Sequence, residues 1–185
     1  NLFSVKGKIA LVTGGSRGIG RMIAEGLTLN GVKVFIVSRK KEDCISAAKD
    51  IANKSEGECY PIIADLSKLE EIEFVVNKFL SKESHLDFLI NNAGASWGSP
   101  VEEFTEFGWN KVMDLNLKSM FFITQKFIPI LKINASNNEP SRVINIGSID
   151  GIINSQFENI SYSVSKAGVH HLTKILAKSL VHKNI

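Results

Sequence analysis

Five short apolar runs, each followed by a segment of helical period, constrain this chain more than any other feature. The runs lie at residues 8–13, 33–38, 60–65, 86–91 and 142–147, and the helical segments at 18–30, 42–53, 68–82, 105–132 and 161–182. The runs are nearly continuous rather than alternating, which is how a strand reads when both faces of its sheet are covered. Strands and helices in strict alternation predict βαβ units, and hence an α/β, doubly wound parallel sheet. With 185 residues, 44% of them hydrophobic, the chain is long enough for one sizeable core, and residues 1–185 are expected to form a single domain.

The first run ends in Thr13 and continues as TGGSRGIG through Gly20. A strand, a glycine-rich turn and a helix start make a phosphate-binding turn. Glycine reaches φ > 0 at no steric cost, its missing Cβ admits a pyrophosphate, and the first N–H groups of the helix face the anion. The spacing of Gly14, Gly18 and Gly20 is GxxxGxG, one residue away from the commoner GxGxxG. Taken alone, such a cluster is also what an ordinary loop contains.

At the end of the second run a site for NAD presents an acid to the ribose 2′-hydroxyl, about 20 residues past the glycines. Ser38 stands there, followed by Arg39, and Arg17 lies inside the turn. Two cations and no carboxylate favour a 2′-phosphate, and so NADP(H). Asp65 closes the third run, and NNAG, residues 91–94, closes the fourth. Both fall on the sheet edge where open α/β sheets bind ligands.

Ser148 follows the fifth run directly, and Tyr162 precedes Lys166 by four residues. Residues i and i+4 share a helix face, so the ammonium can stand beside the phenol. A cation there stabilises the phenolate and lowers a pKa that is ordinarily about 10, fitting Tyr162 to exchange a proton with a substrate oxygen. By chance alone, such a Tyr and Lys pair is frequent on helix surfaces.

In combination, TGGSRGIG, NNAG, Asn116 within MDLNLKS, Ser148, Tyr162 and Lys166 resemble the short-chain dehydrogenase/reductase family, in order and over essentially the whole chain. ASWG after NNAG, the segment RVINIGS and the distance from Ser148 to Tyr162 are similar to the NADP-dependent 3-oxoacyl (β-ketoacyl) reductases, including those of rhamnolipid synthesis.

The resemblance implies a Rossmann-like sheet of strand order 3-2-1-4-5, with the family's last strands absent from this chain. It also implies a hydride transferred from NADPH to a carbonyl, with an acyl thioester as substrate. Catalysis falls to Asn116, Ser148, Tyr162 and Lys166. Tyr162 gives the proton, Ser148 holds the carbonyl, Lys166 binds the nicotinamide ribose, and Asn116 holds a water. Cofactor contacts fall to Gly14, Ser16, Arg17, Gly18, Ile19 and Gly20 in the turn, and to Ser38 and Arg39 after the second strand. Asp65 and Leu66 join them at the adenine, and Asn92, Ala93, Gly94, Tyr162 and Lys166 line the rest of the cleft. Other family substrates (a sugar, steroid or quinone carbonyl) stay open, as does a non-catalytic NADPH-binding regulator. Family chains run to roughly 250 residues, so this one is expected to be C-terminally incomplete.

The remaining features exclude more than they assign. A net charge of +3, from 22 Lys+Arg against 19 Asp+Glu, gives no reason to expect nucleic acid or a membrane surface. No apolar run reaches the roughly 18 residues of a membrane span, so a cytoplasmic protein is expected. Cys44 and Cys59 match no metal spacing and read as reduced thiols. Adjacent His170 and His171 point about 100° apart on a helix and read as surface or interface residues; no metal is expected. Gly31 reads as the cap of the first helix, and Ser67 with Glu70 as a capping box for the third.

On the long helix, Trp109, Val112, Met113, Leu117, Met120, Phe121, Thr124, Phe127, Ile128 and Leu131 form the expected sheet-facing stripe. Leu115, Phe122, Ile123 and Ile130 lie outside it. A second copy, in a homodimer or homotetramer, and further chain are the two candidate covers for that second face. Trp97 and Phe157 are loop aromatics near the expected cleft, placed either to touch substrate or to pack their loops.

Overall fold

The computed structural model describes residues 3–55, 57–154 and 156–185. Five parallel strands form one sheet in the order β3-β2-β1-β4-β5. They are β1 (Ile9–Thr13), β2 (Lys33–Ser38), β3 (Cys59–Ile63), β4 (Phe88–Asn91) and β5 (Arg142–Asn145). The order reverses between β2-β1 and β4, and the sheet's ligand crevice is expected at that switch point.

The strands alternate side chains between two buried layers, which is why four of them read as continuous hydrophobic runs. Ile9 and Leu11 of β1 join Phe35, Ile72, Phe79, Leu89, Ile123 and Phe127 under α3 (Leu69–Leu80) and α5 (Ser119–Leu131). Ala10 and Val12 join Ala24, Val34, Ile36, Ala47 and Ile51 under α1 (Gly18–Leu29) and α2 (Lys41–Asn53). Ring edges meet ring faces along Phe35, Phe79 and Phe127, with centroids 4.9 and 5.4 Å apart. β5 departs from the expectation of two covered faces. It is an edge strand with Arg142 and Ile144 exposed and only Val143 and Asn145 partly covered.

The long helix is the larger correction. It runs as α4 (Glu106–Met113), a π-helical turn (Asp114–Lys118) and α5, with helical backbone angles across both junctions. Its buried face carries Val112, Asn116, Ser119, Met120, Ile123, Thr124, Phe127, Ile130 and Leu131. Ile123 and Ile130, outside the expected stripe, therefore sit in the core, whereas Trp109 is 37% exposed. Polar Asn116 and Ser119 occupy inward positions that a hydrophobic pattern assigns to solvent, and the wide turn shifts the register of α5 relative to α4.

Gly31 takes φ +78° past α1, as expected. The Ser67–Glu70 capping box does not form. The residue before α3 is Lys68, with no side-chain cap, and the Ser67 hydroxyl turns instead to Asp65 Oδ1 at 2.8 Å. The last long helix, α6, spans Ile160–Leu180. Among the described residues no helix is long and apolar enough to cross a membrane. Cys44 and Cys59 are both buried free thiols, their pKa values pushed up to about 11 and about 12 by the loss of solvent.

Candidate active site

The turn after β1 and the turn after β4 are locked to each other through Thr13. Its hydroxyl accepts the N–H groups of Asn92 and Ala93 at 2.9 and 3.0 Å. The Asn92 amide in turn donates to the carbonyls of Thr13 and Gly14 at 3.0 and 3.3 Å. This close approach explains Gly20, where a Cβ would stand 2.3 Å from the Gly14 carbonyl oxygen and 2.4 Å from Asn92 Nδ2. Gly18 answers a different demand: it sits at φ +54° and faces open space, where the backbone is bare to a ligand.

A cleft of about 550 Å³ opens above these turns. Gly14, Ser16, Arg17, Gly18 and Ile19 line one wall; Ser38, Arg39, Asp65 and Leu66 line the far end; Asn92, Ala93 and Gly94 line the other side. Val37, Lys40, Asp43 and Ala64, and Ala95, Ser96, Lys111 and Leu115, complete the lining. Sequence reasoning assigns none of these to the cofactor: Ala95 and Ser96 enter only as part of the ASWG run, and nothing in the spacing of the others is distinctive.

The residues present fit a dinucleotide phosphate. No acid stands in the first turn of α1, and Arg17 before it makes no side-chain cap, so the positive end of the helix is left for an anion. Ser16 and Ser38 hydroxyls meet at 2.9 Å, and among the described residues neither Arg17 nor Arg39 forms an ion pair. Asp43, an acid in the same cleft, lies 3.8 Å from Lys40. Asp65 is held from both sides. Its N–H donates to Glu71 Oε2 at 2.6 Å, and its carboxylate accepts from the Ser67 N–H and hydroxyl. In a second groove at the opposite sheet edge, Lys8 pairs with Asp87 and Glu139 and Lys33 with Glu58 and Glu83.

Ser148, Tyr162 and Lys166 do not line that cleft; they stand where the end of β5 meets α6. Lys166 is 4% exposed, and its Nζ donates to the Ile146 carbonyl at 2.6 Å and lies 5.7 Å from the centre of the Tyr162 ring. Burial holds its pKa below the ordinary 10.5 of a lysine. Ser148 Oγ accepts the Asp150 N–H at 3.2 Å, so its own hydrogen is left to be donated.

Asn116 connects the two halves. Its side chain clasps the backbone of Ala95, accepting from N at 2.8 Å and donating to O at 2.9 Å, and donates again to Ser165 Oγ at 3.0 Å. Both amide hydrogens are thereby used, so a water bound by donation from this side chain does not fit. Beneath the site, Asn91 Nδ2 bonds Thr124 Oγ1 and Asn145 Oδ1, and Asn145 bonds Thr173, which ties α5, β4, β5 and α6 into one polar chain.

Two further readings change. Trp97 packs its ring on Gly108, meets Phe107 edge-on at 5.7 Å and carries Lys111 Nζ 4.7 Å from the centre of its ring, which accounts for it as loop packing. His170, expected at the surface or an interface, is half-buried, with its Nε2 3.4 Å from the Ser148 backbone nitrogen. Phe157 is 78% exposed.

Residues 8–185 match the family model described as short chain dehydrogenase. The chain belongs to the short-chain dehydrogenase family. It is 45% identical to the Pseudomonas aeruginosa rhamnolipids biosynthesis 3-oxoacyl-[acyl-carrier-protein] reductase, over 99% of this chain and 71% of that one. The Pseudomonas aeruginosa RhlG/NADP active-site complex superposes with a TM-score of 0.95, at the same identity and coverage. The Gluconobacter frateurii L-sorbose reductase, complexed with NADPH and L-sorbose, superposes with a TM-score of 0.92 at 26% identity, over 98% of this chain and 67% of that one. The chain is an oxidoreductase of this family.

Proposed function

We propose that the protein is an NADPH-dependent reductase whose substrate is a 3-oxoacyl thioester, reduced at its 3-carbonyl. The observation that carries the reading is the buried Lys166 beside Tyr162, joined to the cofactor cleft through Ser165, Asn116 and Ala95. NADPH, when bound, supplies the hydride. Gly14, Ser16, Gly18, Ile19 and Gly20 would hold its pyrophosphate side, Ser38 with Arg17 and Arg39 its 2′-phosphate, and Asp65 with Leu66 its adenine. Asn92, Ala93 and Gly94 would line the middle of the cleft.

Tyr162 gives a proton to the carbonyl oxygen, and Ser148 donates a hydrogen bond to that oxygen as charge develops on it. Lys166 steadies the phenolate left on Tyr162 and binds the nicotinamide ribose. Asn116 acts by fixing Ala95 against Ser165, so the two halves keep their spacing.

The acyl-thioester choice draws on the 45% identical relative, whose name states that substrate, and on a local feature. Ile149, Ile152 and Ile153 follow Ser148 and are 61, 72 and 56% exposed, an apolar shoulder suited to an aliphatic chain. Val164, Ile175 and Val181 are exposed apolar residues on and just after α6, and a homodimer or homotetramer would cover them. NADPH oxidation should be followed with the purified protein on a panel of 3-oxoacyl thioesters of increasing chain length, a ketose, a ketosteroid and a quinone. The reading expects kcat/KM to rise with acyl length and to exceed that for every other carbonyl. A preference for the ketose, steroid or quinone overturns it.

A further inference from the structure

We propose that His170 is a positioning residue for the Ser148 hydroxyl, acting through the Ser148 backbone. Tyr162, Lys166 and His170 follow one another at intervals of four, and so share a face of α6. The imidazole edge lies against Gly147, where a Cβ would stand 2.3 Å from Nε2 and 2.8 Å from Cδ2. From that seat Nε2 accepts the Ser148 N–H, at an N···N distance of 3.4 Å. A ring nitrogen that accepts carries no proton, so this arrangement calls for the tautomer with its hydrogen on Nδ1.

The same helix grips the segment at two neighbouring points. Lys166 Nζ takes the Ile146 carbonyl at 2.6 Å, and Gly151 packs so tightly on the Lys166–Ala167 backbone that a Cβ would come within 2.6 Å. Of these grips, only His170 touches the residue that carries the hydroxyl. Ser148 Oγ is otherwise held by Asp150 N, and the Asp150 carboxylate accepts from Asn159 Nδ2 at the start of α6 at 3.0 Å, a hold on the neighbouring residue and not on the Ser148 backbone. Releasing the Ser148 N–H removes the one side-chain hold on the Ser148 backbone among the described residues and lets the hydroxyl shift from the carbonyl oxygen, and small misplacements are costly when a group acts by geometry. This inference rests on Ser148 as the carbonyl donor.

The test compares His170→Leu, which fills the space without an acceptor, with His170→Gln, which offers an amide oxygen near the place of Nε2. For Leu the inference expects kcat to fall about five- to tenfold with the KM for NADPH unchanged, and for Gln at least half of that loss restored. Full activity in Leu overturns it, as does a loss that Gln fails to rescue or a rise in the NADPH KM of equal size. Should His170→Leu not fold, 15N NMR of the imidazole in the unaltered protein decides, since an Nε2–H tautomer contradicts the arrangement and a bare Nε2 supports it. Ser148→Ala separates the two levels. An active Ser148→Ala removes the carbonyl-donor reading and this inference with it, whereas an inactive one beside a normal His170→Leu removes this inference alone.

Discussion

The cofactor cleft and the catalytic corner are built by opposite means. The cleft is made of main chain: two turns clamp each other through Thr13 and Asn92, and the cations beside them, Arg17 and Arg39, are exposed and form no ion pair among the described residues. The corner is made of side chains, with Lys166 buried, Asn116 fully enclosed and His170 pressed on Gly147. The difference reflects the chemistry that each must bind. A phosphate is recognised by backbone N–H groups and flexible cations, which are left open until it arrives. A proton donor needs its partners at fixed distances beforehand.

If the cleft is a main-chain device, its most damaging change is one that forces the two turns apart. Gly20→Ala puts a Cβ 2.3 Å from a carbonyl oxygen that cannot swing away. We expect a loss of about 2 kcal/mol in stability and an NADPH KM raised more than about tenfold, read by urea unfolding and steady-state kinetics. A variant that binds NADPH normally would show that the turns are not rigid.

Next in size is the pair of unpaired cations. Arg17→Ala with Arg39→Ala removes charge-assisted contacts worth about 1.5–3 kcal/mol, so the NADPH KM should rise roughly 10- to 100-fold while NADH kinetics barely change. Equal losses with both cofactors would place these arginines elsewhere than at a 2′-phosphate.

The corner leaves a mark on the pH dependence of stability. Burial lowers the Lys166 pKa below 10.5, so between the lowered value and 10.5 the unfolded chain binds more protons than the folded one. In that window the Lys166 contribution to unfolding free energy rises with pH and levels off above 10.5, against the fall that the buried Cys44 and Cys59 thiols impose above 9.0 with or without Lys166. Lys166→Met removes this rise and abolishes turnover. Urea midpoints of both proteins across the window measure it. Lys8 and Lys33, whose pKa values are raised mainly by hydrogen bonds to Glu139 and Glu83, lose their contribution above 10.5 in both proteins, and so cancel in the difference.

The same contrast explains what was legible in the sequence. Strand centres could be read because buried parallel strands are apolar throughout, strand order only through the family resemblance, and the cleft because Gly14, Gly18 and Gly20 are a backbone requirement written directly in residue type. The long helix was misread because Asn116 and Ser119 are buried for their hydrogen bonds, and a hydrophobic pattern cannot see that. The Ser67–Glu70 box failed because Asp65 competes for the Ser67 hydroxyl. His170 was invisible as a partner of Ser148, since the contact joins residues 22 apart through a tertiary approach. The pairing of His170 with Gly147 is a signal only once α6 is known to cross the end of β5.

The central claim is that Tyr162 is the proton donor beside a cofactor site that works independently of it. Single-turnover NADPH oxidation with a saturating 3-oxoacyl thioester, on the unaltered protein and on Tyr162→Phe, tests it most directly. The account predicts a rate about 10²- to 10⁴-fold lower in the variant, with NADPH still bound at unchanged affinity. A variant that turns over at the original rate would contradict it.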